Sequence, residues 1–266
     1  MTGYLLYDTE GICRNKWFAN ELIKYAKLHD ITLELIIVDK NLDFCCSETP
    51  DFVITRVISP QINNYFEKRN IPVFNNYKTA HIANNKWLTY TLAKKLSIPT
   101  METYLPSNAS LMLKYPFVLK SLDGHGGSEV FKITNDSEYF YYAEQFKNNS
   151  LIQEICSDVG KDVRVYCLGK DVIVAILRTS HTDFRSNFSL GGSATLFQPT
   201  EAMLQTVQKL HEELNFGLVG IDFIFHNNEW VLNEIEDVVG TRMIYQCTEI
   251  NVVDKYIEYI IHSIKH

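Results

Sequence analysis

Two rhythms of apolar residues alternate along the chain. Short unbroken runs, "GYLLYD" near the start, "LELIIV" (Leu33–Val38) and "DFVITRV" (Asp51–Val57), have the length and composition of buried strands. Between the first two, residues 15–29 carry Phe18, Leu22, Tyr25, Ala26 and His29 near helical spacing. Strand, helix and strand in that order predict a small parallel sheet, because parallel neighbours need a crossover. "RNIPVFNN" (Arg69–Asn76) adds one more short strand, and a domain boundary is expected near residue 75. A helix is expected from about Asn85 to Leu96, closed by Ser97 and Pro99.

The rest of the chain mixes strand pairs with helices. "KYPFVLKSLDGHGGSEVFKI" (Lys114–Ile133) reads as strand, lysine, glycine cluster and strand. A helix follows over Ser137–Lys147, then a strand over Leu151–Cys156. "KDVRVYCLGKDVIVAILRTS" reads as two strands around the turn Gly169-Lys170-Asp171. "HTDFRSNFSLGGSATLFQPT" has no clear period and is expected to be a loop. "EAMLQTVQKLHEELNF" is amphipathic through Leu204, Val207, Leu210 and Leu214. "GLVGIDFIFHNNEWVLNEIED" reads as a hairpin turning near Asn227-Asn228. The chain closes on a helix with Val252, Val253, Tyr256, Ile257, Ile260, Ile261 and Ile264 on its periodic face.

Composition narrows the function classes. A hydrophobic content of 46% over 266 residues is ample for buried cores, in one large domain or two to three small ones. A net charge of −7 argues against a general binder of nucleic acid or anionic membrane. No apolar run approaches the ~18 residues of a membrane helix, and the start of the chain lacks a signal peptide's basic region. Six cysteines (13, 45, 46, 156, 167, 247) form no CxxC pair, so reduced thiols and a cytoplasmic setting are expected.

Three constellations carry chemistry. Gly124, Gly126 and Gly127 lie just after Lys120, in a chain with only 12 glycines. Such a turn can bring backbone N–H groups to a phosphate and Lys120 adds a charge, although a flexible hairpin tip uses the same residues. Arg164 and Arg178 interrupt strands of Val, Ile and Leu, while Arg185 and Asn187 sit in the loop closed by Gly191-Gly192. An arginine in such a strand is either solvated or paired with an anion, and together the four suggest an anion site. Asp222 interrupts "LVGIDFIF", and Glu234 and Glu236 are two apart, so they share a face of a strand with Asp237 beside them. Carboxylates gathered on one sheet face repel unless a cation lies between them, and oxygen-only ligands suit Mg²⁺ or Mn²⁺. The bland reading is the solvated face of an edge hairpin, which the flanking Ile221, Phe223, Ile224 and Phe225 weaken.

The pieces "NKWLTYTLAKKLSIPT", "YPFVLKSLDGHGGSEVFKI", "LIQEICSDVGKDVRVYCLG", "RTSHTDFRSNFSLGG", "GLVGIDFIF" and "VLNEIEDVVG" occur in one order over about residues 80–245. In this they resemble the ATP-grasp superfamily, most of all its RimK-type carboxylate–amine ligases. The resemblance implies an α/β fold, α+β in the grasp portion. An N-terminal β-α-β domain would cover 1–75, a linker helix and small subdomain 76–155, and a large subdomain with the metal site 156–266. It implies that Lys86 and Lys120 touch ATP phosphates, with Gly124, Gly126, Gly127 and Ser128 folded over them. Gln153, Glu154, Ile155 and Cys156 would form the adenine edge, and Asp162 would fall near the ribose and substrate. Arg164, Arg178 and Arg185 would hold a substrate carboxylate or acyl phosphate, with Asn187 beside them. Asp222 and Glu234 match metal ligands for two Mg²⁺ or Mn²⁺ ions. Glu236 stands where the family usually has asparagine. The implied reaction joins a small-molecule or peptide carboxylate to an amine such as an amino acid, through an acyl phosphate, with release of ADP and phosphate. A small-molecule kinase and an inactive nucleotide-binding protein are the alternatives, and a homodimer is left open.

A metal site at this hairpin makes a demand on its register. A plain two-residue turn at Asn227-Asn228 would pair His226 with Glu229 and set Asp222 opposite Asn233, with Glu234 on the other face. Asp222 lies opposite Glu234 only with an odd-length turn or a bulge of the same effect, and one of these is therefore expected.

Overall fold

The structure, a computed structural model, describes residues 1–39, 48–106, 114–125, 129–147, 149–180 and 193–265. It has three sheets. The first is parallel, in the order β2 (Thr32–Val38), β1 (Thr2–Asp8), β3 (Phe52–Thr55), β4 (Val73–Phe74). The expected strand over Arg69–Asn76 shrinks to the two residues of β4. Helix α1 (Thr9–Leu28) crosses between β1 and β2 and starts earlier than its apolar period suggests. Its polar first turn is held by Asp8, whose Oδ1 accepts from the Gly11 amide at 2.5 Å. Helices α2 (Pro60–Glu67) and α3 (Tyr77–Ala83) are absent from the sequence reading. Both are short, and α3 depends on Asn76, whose Oδ1 caps the Thr79 amide.

Helix α4 (Lys86–Lys95) lies where expected, capped by Asn85 through the Leu88 amide. The second sheet is antiparallel, in the order β5 (Thr103–Tyr104), β8 (Ser150–Glu154), β6 (Phe117–Ser121), β7 (Val130–Ile133). Phe117, Leu119, Ile133 and Ile152 turn one face toward α5 (Asp136–Phe146). The alternate residues Val118, Lys120 and Gln153 face the other way.

The third sheet is antiparallel, in the order β11 (Ser193–Phe197), β10 (Asp171–Thr179), β9 (Lys161–Leu168), β12 (Leu218–His226), β13 (Glu229–Glu236). Strand β11 falls in the stretch expected to be loop. It pairs at the sheet edge and is largely exposed, so it lacks the apolar alternation that marks a buried strand. Val163, Val165, Cys167, Ile221, Phe223 and Ile235 pack with Met203, Val207, Leu210 and Leu214 of α6 (Glu201–Leu214).

After α7 (Arg242–Cys247), helix α8 (Val252–Lys265) sends Tyr256, Ile257 and Ile260 into a cluster that also holds Leu5, Leu22 and Ile54 of the first sheet and its helix. The boundary expected near residue 75 is thus crossed by one shared apolar core. Among the described residues Cys13, Cys156, Cys167 and Cys247 are free thiols, and no helix is long and apolar enough to cross a membrane.

Asn75 ties the first sheet to the third. Its Nδ2 donates to the carbonyls of Leu218 and Asp237 at 2.9 Å each, and its Oδ1 accepts from the Gly217 amide at 2.7 Å. All three bonds are buried, so Asn75→Ala should lower the unfolding free energy by about 3 kcal/mol. A urea denaturation midpoint unchanged by the substitution would remove this tie from the account.

Candidate active site

One face of the third sheet is written by its register. Arg178 of β10 lies opposite Asp162 of β9, and Arg164 of β9 lies opposite Asp222 of β12. Asp222 in turn lies opposite Glu234 of β13. The hairpin turn has two residues, with Asn227 and Asn228 both at positive φ (49° and 67°) and His226 paired with Glu229. A bulge follows. Phe223 pairs with Leu232 but Asp222 pairs with Glu234, which leaves Asn233 extra. The bulge therefore restores the pairing that an even turn would lose, as the carboxylates require. Residues Pro99 and Thr100 cover the outer edge beside it: the Leu232 amide donates to the Pro99 carbonyl, and the Thr100 hydroxyl to the Leu232 carbonyl.

Side chains on this face form a buried ionic chain. Arg178 donates through Nε and Nη2 to both oxygens of Asp162 at 2.5 Å, and through Nη2 to Asp222 Oδ2 at 2.8 Å. Arg164 donates to both oxygens of Asp222 at 2.7 Å and to Glu236 Oε1 at 2.6 Å. Asp162, Arg164, Arg178 and Asp222 are each 7% exposed or less. Gly220 opposes Glu236, and a Cβ there would meet Val239 Cγ2 at 2.7 Å and Arg164 Cδ at 3.3 Å. The absence of a side chain at Gly220 leaves room for the stem of Arg164.

The second sheet supplies the opposite wall of a cleft lined by residues of both sheets. Lys120 of β6 donates to Gln153 Oε1 at 2.6 Å and to Asn233 Oδ1 at 3.2 Å across the cleft. Lys86, at the start of α4, pairs with Glu234 at 3.2 Å and donates to the Gly124 carbonyl. Val118, Val130, Ile155 and Ile224 supply apolar lining.

Burial and charge set the protonation states. Burial pushes the Asp222 carboxyl up, but Arg164 and Arg178 outweigh it and hold the group down at about 2. Burial pushes Glu236 up to about 7, with Asp222 and Glu234 adding to the rise and Arg164 opposing it. Burial lowers the Lys120 ammonium to about 8; Glu234 opposes the change and Lys86 adds to it.

A family model described as the RimK-like ATP-grasp domain matches residues 83–260. The chain belongs to this family. It is 25% identical to the uncharacterized protein MG011 of Mycoplasma genitalium over 98% of this chain and 93% of that one. It is 26% identical to the alpha-aminoadipate–LysW ligase LysX of Saccharolobus solfataricus, over 79% of this chain and 83% of the relative. Its fold is similar to D-alanine–D-alanine ligase from Bacillus anthracis complexed with ATP, with a TM-score of 0.75 at 12% identity, covering 100% of this chain and 97% of that structure.

Within this ATP-grasp frame the expected site residues divide into three groups. Lys86, Lys120, Gly124, Gln153, Glu154, Ile155, Cys156, Asp162, Asp222, Glu234 and Glu236 all line the one cleft. Arg164 and Arg178, expected to hold a substrate anion, are engaged by Asp222, Glu236 and Asp162 of the chain itself. Gly126, Gly127, Ser128, Arg185 and Asn187 lie outside the described residues. Asp237 is buried away from the cleft lining, in the turn that follows β13. Sequence reading missed Asn233 as a cleft residue. The signal was present in the register itself, since the extra residue of a bulge had to fall near it.

The ionic chain has a consequence for stability. Asp222→Ala leaves two buried guanidiniums short of a partner and should cost about 3–5 kcal/mol. Glu234→Ala, whose ion pair is with Lys86 at the cleft edge, should cost far less. Equal losses for the two variants in chemical denaturation would contradict this ranking.

Proposed function

We propose that this protein is an ATP-dependent carboxylate–amine ligase. It transfers the γ-phosphoryl group of ATP to a substrate carboxylate, forming an acyl phosphate and ADP. An amine then attacks the acyl carbon, an amide forms and phosphate leaves. The observation that supports this most is the convergence of Lys120 from one wall, three carboxylates from the other and Lys86 from the start of α4 on a single cleft with apolar lining. A phosphate chain and a divalent cation need such a pairing, and a nucleobase needs the apolar part.

Lys86 and Lys120 bind phosphate oxygens, and Gln153, Glu154, Ile155 and Cys156, at and just beyond the end of β8, border the adenine. The donor set for a cation fits Mg²⁺ or Mn²⁺, because Asp222, Glu234 and Glu236 supply only oxygen. Glu234 and Glu236 line the cleft, and Asp222 keeps one lone pair, on Oδ1, beyond the three used by the arginines. Two ions are expected there. When bound, the cation neutralises charge on the phosphate oxygens. Positioning and charge neutralisation supply most of the rate. The α-aminoadipate in the name of the Saccharolobus relative makes that amino acid the first amine to test.

With Mg²⁺, ATP and pools of carboxylic and amino acids, ADP and phosphate should appear only when both an acid and an amine are present. AMP with pyrophosphate as main products would exclude an acyl phosphate. Lys120→Ala should weaken nucleotide binding by roughly 1.5–3 kcal/mol, the worth of a charged contact, and unchanged affinity would remove Lys120 from the site.

The ratio kcat/KM, which reports groups of the free enzyme, should also follow a bell-shaped pH profile. Glu236 must lose its proton to serve a cation, so activity rises as pH passes about 7. Lys120 must keep its proton to serve a phosphate, so activity falls as pH passes about 8. A flat profile from pH 6 to 9 would contradict both roles.

A further inference from the structure

Arg164 and Arg178 spend their charge on carboxylates of the chain itself. Arg56 does not. It is equally buried, at 6% exposure, yet it forms no ion pair with the described residues. Its Nη2 donates to the Val239 carbonyl at 2.6 Å, and the guanidinium lies 5.3 Å from the centre of the Phe18 ring. The hydroxyls of Tyr7 and Tyr256 feel its charge, but burial raises the pKa of both above the usual value and leaves them neutral. Asp237 lies in its field too, yet takes its side-chain hydrogen bond from Asn84 and makes no ion pair with Arg56. The Arg56 Nε–H is buried and has no hydrogen-bond partner. A carbonyl, a ring and neutral hydroxyls do not balance a buried guanidinium with five donors.

The position of Arg56 points to what does. It follows the last residue of β3 directly, and its amide donates to the Leu6 carbonyl of β1. The chain runs from β1 out to β2 on one side, while β3 and β4 lie on the other. Strands β1 and β3 therefore bound the switch point of the parallel sheet, and such sheets take ligands in the crevice at the carboxyl ends of those strands. The carbonyl that Arg56 holds, that of Val239, comes just after Glu236 of the cleft wall. Arg56 thus stands between this crevice and the strand that carries the carboxylates.

We propose that Arg56 is a substrate-binding residue that holds a carboxylate which does not react, such as the α-carboxylate of an amino-acid substrate. The Nε–H left over by the fold donates to it, and the anion balances the buried charge. The kinetic part of this inference rests on the ligase reading; the binding part does not.

The test is nitrogen-15 NMR of the full chain with Mg²⁺ and ADP, following the Arg56 Nε–H signal assigned through bonds to its own backbone. Titration with acetate, L-glutamate or α-aminoadipate should move this signal and leave those of Arg164 and Arg178 in place. Arg56→Lys keeps the charge but loses Nε–H. It should weaken the tightest of the three probes roughly ten- to a hundredfold, the worth of a hydrogen bond to a charged group. Its ADP affinity and urea midpoint should stay those of the wild type. In turnover it should raise the KM of one substrate by the same factor with kcat nearly unchanged. The substrate whose KM rises, amine or acid, is the one that brings the carboxylate. An Arg56 signal unmoved by all three probes would overturn the proposal, and this arm needs neither turnover nor a folded variant. A lowered midpoint with unchanged probe affinity in Arg56→Lys would make Arg56 a tie within the fold and overturn it equally.

Discussion

The site depends on the register of one hairpin. A strand's side chains alternate between faces, so a slip of one residue sends every one of them to the wrong side. The turn at Asn227-Asn228 has even length, and without the bulge it would set Asp222 against Asn233. The extra residue at the bulge corrects this and sets Asp222, Glu234 and Glu236 around the cleft. The same alternation keeps Ile221, Phe223 and Ile235 against α6, so the apolar core and the charged face hold each other in register.

Around this register the charges close on themselves. Asp162, Asp222, Glu234 and Glu236 meet Lys86, Arg164 and Arg178 through direct contacts along the face, and Lys120 reaches Asn233 across the cleft. A polyanionic nucleotide entering such a site brings negative charge that the side chains alone do not offset. This is the physical reason for a divalent cation there; burial, with Asp222 and Glu234 adding to it, raises the affinity of Glu236 for a proton.

Much of this was legible from the residues. Arg164 and Arg178 in apolar strands had to be solvated or paired with an anion, and pairing is what the fold shows. What sequence alone could not supply was the partner. The carboxylates lie on other strands, and only the order β10-β9-β12-β13 brings them opposite one another. The same limit hid β11, whose exposed alternation carries no apolar signal, and α3, which is held by Asn76 reaching both its own first turn and the Leu214 carbonyl. The β-α-β start was clear from its rhythm, but its shared core with α8 joins residues from opposite ends of the chain.

The central claim is that Asp222, Glu234 and Glu236 form one cation site over a nucleotide. Electron paramagnetic resonance of Mn²⁺ titrated into the protein with ADP measures this directly. The account predicts a ternary complex of protein, ADP and Mn²⁺ in the wild type, lost in Glu234→Gln while ADP without metal still binds. Equal Mn²⁺ binding by the wild type and Glu234→Gln would contradict it.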